Sequence, residues 1–286
     1  MPDFVQFMHP GNEHGADVAG LKYWNIGLHR RKFLRIEGEY VEAPAGRPRS
    51  GEVVFWGEWE PESTAEPISD PVPNGPSWLH RPYYVKPLTY WPGTGDQPLQ
   101  NTDPFVFGDR FRYTLCRQWR SAANRPSLLR DLEPGSLILF GSFKAGEFVL
   151  DTAFVTDAGV QHDHDSWSTV LTDLPETYVD VTMLATYAWG PGAELRLYSG
   201  ATRRQPTNDM FSFAPCLPAD VGGHGFARPA IRLDELITPN LKMGFKSTRG
   251  LSSEEVQQLW NHVTEQVVNQ DLALGTRFAM PLNHAG

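Results

Sequence analysis

With 286 residues and a formal charge of −9, the chain can bury a full core without disulfide staples, and it is too acidic to coat a polyanion through unspecific basic contacts. Its two cysteines, Cys116 and Cys216, lie far apart in no metal-ligand spacing, so a disulfide framework and a thiolate zinc site are not expected, and a reducing, cytoplasmic setting fits. The chain does not open on a basic leader followed by an apolar run, and no segment reaches about eighteen uninterrupted apolar residues, so neither secretion nor membrane crossing is expected.

The 26 glycines and 24 prolines cut the chain into short pieces, which favours strands and loops over long helices. Runs rich in Val, Ile, Phe and Tyr predict strands at Phe4–Met8, 32–36, 52–56, 111–116, 136–141, 147–155, 178–183, 195–198 and 209–213. Residues 61–99 are too Pro-rich for a helix and too aromatic for a disordered linker, so they read as a long ordered loop or lid. Short helices are expected at 125–132 and 233–237. One longer helix is expected at 252–269, where Ser252 and Glu255 have capping-box spacing and Val256, Leu259, Trp260, Val263 and Val267 share a face. Together these elements predict one α+β domain over 1–286: sheet-rich, partly barrel-like and antiparallel, with a helix near the C-terminus docked on the core.

Charge is unevenly spread. Six arginines and no acid lie between Asp109 and Asp131, whereas 151–180 holds seven acids and no Lys or Arg. Three stretches combine groups that chemistry can use. His9, Asn12, Glu13 and His14 surround a Pro-Gly turn and are followed by Arg30 and Arg31; two imidazoles and a carboxylate suit acid/base work, although the spacing is not that of a helical zinc motif and no metal site is assigned. Trp56-Gly-Glu58-Trp59-Glu60 interleaves indoles with carboxylates, as in a pocket where rings stack on a flat ligand and an acid accepts its amino protons. Asn101 and Asp103 precede Arg110 and Arg112, placing base-edge hydrogen-bonding groups beside phosphate binders. The bland alternatives are a local turn, a core-plugging strand end and an amide-capping loop, in that order. His162-Asp-His164-Asp165 reads as an exposed loop.

The segment PGSLILFGS, then GEFVLDTAFVTD, over 134–157, predicts an antiparallel hairpin. It resembles the strand pair of PUA-like β-barrels, including their EVE and ASCH branches. That resemblance implies a barrel with an aromatic pocket for a nucleobase, often a modified one; no individual family residue carries over.

The leading expectation is recognition of a nucleotide, or of a single-stranded or flipped-out base. Trp56 and Trp59 would be stacking walls, Glu58 an acceptor, Asn101 and Asp103 edge readers, and Arg30, Arg31, Arg110 and Arg112 phosphate binders. The alternatives are a metal-assisted or general acid/base hydrolase of a nucleotide or nucleic acid, using His9, Glu13, His14 and Glu58, and a protein-interaction module using the Pro-rich loop. No cofactor is specified by any motif, and no membrane partner is expected.

Overall fold

The computed structural model describes residues 1–283 apart from 10–12, 14–19, 23–30, 85–101, 121–122, 190–191, 223–224, 239–240 and 242–243. Two sheets meet along a seam, and one long helix covers part of the core.

The first sheet has six strands in the order Gly244–Thr248, Phe4–Met8, Leu137–Lys144, Glu147–His162, Leu195–Gly200 and Arg112–Tyr113. Phe4–Met8 lies parallel to Leu137–Lys144, and the other pairs are antiparallel. The hairpin expected from sequence is its centre. Lys144 faces Glu147 across Ala145 and Gly146, both at positive φ (53° and 85°). Two such residues make the mirror-image turn that matches the strands' right-handed twist.

The second sheet runs Ala273–Phe278, Ala214–Pro218, Arg49–Gly57, Lys32–Val41, Trp78–Tyr84, Ser63–Pro67 and Gly20–Lys22. Ala273–Phe278 also pairs with Lys32–Val41, so the first four strands close into a small antiparallel barrel with further strands on its side. Closure brings backbones close together at Gly38, where a Cβ would sit 2.9 Å from the Arg277 carbonyl oxygen. Phe55 and Phe278 stack at 4.0 Å within the barrel.

The helix Ser253–Val268 begins with the anticipated capping box: Ser252 accepts from the Glu255 amide, and the Glu255 carboxylate accepts from the Ser252 amide. Its buried face carries Val256, Trp260, Val263, Thr264 and Val267, and Trp260 Nε1 donates to the Phe211 carbonyl at 3.0 Å. Among the described residues no helix is long and apolar enough to cross a membrane.

Several expected elements differ. Residues 178–183 are helical rather than extended: Pro175 and Glu176 open a helical stretch through Glu176–Tyr178, Val179–Met183 and Leu184–Trp189 that buries Tyr178, Val181, Thr182 and Met183. The aromatic and β-branched residues that suggested a strand lie here on turns packed against the core. The strand expected at 209–213 begins instead at Ala214, after a tight turn over Thr207–Met210. The Pro-rich stretch is only partly loop, because Ser63–Pro67 and Trp78–Tyr84 pair within the second sheet. Pro82 is tolerated there because Trp78–Tyr84 pairs with Lys32–Val41 only at Leu79 and His80, so the missing amide breaks no ladder bond on that side. Its remainder, 85–99, lies outside the described residues. Between 125 and 132 the expected helix is replaced by the short strand Arg125–Pro126, paired with Trp119–Arg120, and a 3₁₀ turn, Leu128–Asp131; 233–237 forms a turn.

The seam is fixed by reciprocal main-chain bonds between Ala153 and Phe213, both 2.9 Å. They join the central strand of the first sheet to the segment leading into the second.

Candidate functional site

Ionisable groups from both sheets converge beside this seam. His9 follows the strand Phe4–Met8, and its amide donates to the Gly141 carbonyl at 2.8 Å. Arg31 and Glu58 lie one residue beyond the Lys32–Gly57 pair, so the strand register sets them side by side. Asp151 projects from Glu147–His162, and Arg228 comes from the segment preceding the docked helix.

The groups form one continuous network. Arg31 Nη2 lies 2.7 Å from Glu58 Oε2 and also contacts His9 Nδ1, while Arg31 Nε is 3.5 Å from Asp151 Oδ2. The other Asp151 oxygen accepts from Arg228 Nη1 at 3.0 Å, which donates to Ser142 Oγ at 2.6 Å as well. The Arg228 guanidinium lies over the Trp56 ring, 4.3 Å from its centroid. His9 Nδ1 is 3.9 Å from the Glu58 carboxylate.

All of these side chains are buried, from Asp151 at 0 % exposed to His9 at 7 %. Burial pushes the Asp151 carboxyl above its usual range, against the pull of Arg228 and Arg31. For Arg31, burial is the largest single influence and opposes the charge, but Glu58 and Asp151 together outweigh it and raise the pKa. Burial lowers that of Arg228 despite Asp151. Buried ion pairs of this kind come close to breaking even against desolvation, so net stability does not account for them.

Among the described residues, two buried ring nitrogens of the network have no hydrogen-bond partner: His9 Nε2 and Trp56 Nε1. A guanidinium can only donate, so His9 Nδ1 is the acceptor for Arg31, and a neutral His9 assigned on that basis carries its proton on Nε2. Both nitrogens are then donors. Each unmatched buried donor costs about 1–3 kcal/mol.

The other residues singled out in the sequence are placed differently. Glu13 accepts from the Ser77 and Trp78 amides at 2.8 and 3.0 Å and anchors a turn; burial raises its pKa. Trp59 is not a stacking wall: it is fully buried, its Nε1 donates to the Glu62 and Tyr83 carbonyls, and Phe107 and Tyr84 meet it edge-on. Trp56 is not an open wall either, since Arg228 lies over its ring and Phe33 packs edge-on at 4.9 Å. Asp103 is turned inward, where its carboxylate accepts from the amides of Thr114, Leu115 and Cys116 at 2.9, 2.8 and 2.6 Å. Burial pushes Asp103 up to about 6 against those three bonds. Arg110 pairs with Asp157 and Gln205, and Arg112 pairs with Asp109 and lies over Tyr178. None of these partners belongs to the His9–Arg31 network, so neither phosphate role is supported by placement. His14, Arg30 and Asn101 lie outside the described residues.

His162, expected in an exposed loop, is buried between Thr114 Oγ1 and the Tyr187 hydroxyl, whereas the adjacent Asp163 caps a turn by accepting from the Asp165 and Ser166 amides. Among the described residues, no three His, Cys, Asp or Glu side chains gather as a metal-ligand set.

Sequence reasoning missed Asp151 and Arg228. Asp151 carried a usable signal, a lone carboxylate inside the apolar run FVLDTAF, which is a position that needs a buried partner. Arg228 had none. A second buried network starts at Lys32, next to Arg31, and lies on the opposite face because side chains alternate along an extended chain. There Lys32 Nζ donates to the Pro61 carbonyl and to Ser63 Oγ, both 3.1 Å, and Ser63 Oγ meets His80 Nδ1 at 3.0 Å. Burial lowers Lys32 to about 7, with Glu60 and Glu62 pulling the other way. A groove of about 740 Å³ lies elsewhere, between Arg35, Arg81 and Met280–Leu282, and both of its guanidiniums close on Glu52.

The chain matches no family model, no curated protein and no solved structure. Function therefore has to be read from the chemistry of the site.

Proposed function

We propose that the protein recognises a nucleotide, or a base presented by single-stranded or flipped-out nucleic acid, at the His9–Arg31–Glu58–Asp151–Arg228 cluster. The observation that carries this reading is convergence: side chains from five separate stretches meet in a buried network that leaves two ring N–H donors unmatched. A ligand supplying acceptors to His9 Nε2 and Trp56 Nε1 would recover the cost of those donors. At the level of architecture, the closed four-strand barrel is compatible with a β-barrel fold such as the PUA-like one, although the 134–157 hairpin lies in the other sheet.

Calorimetric titration with bases, nucleosides, nucleotides and short single strands tests the reading. One base class is expected to give saturable heat, with affinity falling about tenfold in Trp56→Phe, which keeps a ring and removes the donor. No saturable heat from any member of the panel contradicts it.

The proximity of His9 to Glu58 favours a second reading, general acid/base turnover of the same ligand class. Mass analysis of the titrated samples distinguishes the two, because turnover leaves a product and recognition leaves the ligand intact.

A further inference from the structure

Resting on that reading, we infer that the group seated in the cluster is an uncharged heterocycle presenting hydrogen-bond acceptors, and that no phosphate enters it. Charge matching within the network carries the argument. Arg31 lies 2.7 Å from Glu58, and Arg228 lies 3.0 Å from Asp151, so each buried guanidinium already faces a carboxylate. Two positive and two negative charges leave no surplus among these residues for an anion. Their neighbours supply no positive surplus either: Glu13 and Lys144 face Arg228 with opposite charges, and Asp103 adds only acid near Glu58.

A phosphate brought here would meet Glu58 and Asp151 in a water-poor setting, where like charges repel far more strongly than in water. The ring nitrogens that lack a partner among the described residues are uncharged. His9 Nε2 and Trp56 Nε1 both donate, and the two side chains are 7 % and 3 % exposed. Carbonyl oxygens and ring nitrogens of a base are acceptors without charge, and they can satisfy both donors with no change in the ion pairs. Any sugar or phosphate attached to that base then stays outside the cluster, in water.

The test compares a base, its nucleoside and its 5′-monophosphate by calorimetry at low and high ionic strength, taking every base in turn. For the base that binds, the nucleoside and monophosphate are expected to agree within about threefold, with little change on adding salt. A monophosphate at least about tenfold tighter than its nucleoside, losing that advantage in salt, overturns the inference and leaves base recognition standing. Silence from all compounds overturns both.

Discussion

Arg31→Met lowers the unfolding free energy by about 3–5 kcal/mol in urea denaturation, because it strands Glu58 and Asp151 as buried carboxylates facing one guanidinium instead of two. The size of the loss comes from the uncompensated charge and not from the worth of the ion pair itself. The double variant Arg31→Met with Glu58→Leu is therefore expected to recover most of the loss, since removing both members leaves no orphan. If the single variant is as stable as wild type, Arg31 is not the buried centre of the network. Losses that simply add in the double variant would show that Arg31 and Glu58 do not act as a pair.

Lowering the pH from about 7 to about 4 costs wild type about 3 kcal/mol more than it costs His162→Gln. Burial lowers the folded-state pKa of His162 from 6.5 to about 4. Between those values the unfolded chain binds the extra proton and the folded protein does not, so stability falls as the pH falls. The contribution is fully present above 6.5 and is lost on descending toward 4. Asp103 works in the opposite direction between 3.8 and about 6, because its folded-state pKa is raised; it is present in both proteins and drops out of the difference. Equal pH slopes for wild type and His162→Gln would mean that the imidazole stays solvated in the folded state.

Elements governed by local spacing were legible in the sequence. Phe4–Met8 matches its apolar run, the 137–162 hairpin matches its turn chemistry, and the helix Ser253–Val268 matches its capping pair and its repeat of Val256, Trp260, Val263 and Val267. Elements decided by tertiary packing were not. Tyr178–Met183 has strand-like residues but packs as helix, and Pro82 sits in a strand because the pairing with Lys32–Val41 stops at His80.

The site was legible in part for the same reason. His9, Arg31 and Glu58 stood out as polar groups beside apolar strands, yet their meeting depends on strand register and on the seam between sheets, which no local pattern encodes. Trp59 misled because carboxylates on either side suggested a ring lining a ligand pocket, whereas its indole reaches two carbonyls inside the core. Asp103 likewise has the composition of an edge reader but spends its oxygens on three amides.

The most direct test of the cluster as a base-recognition site is the ring-nitrogen NMR signal of His9 during a nucleoside titration. Saturable movement of the Nε2 resonance is predicted while the signals of His262, exposed on the docked helix, stay fixed. A His9 signal unmoved by every nucleoside would contradict the account.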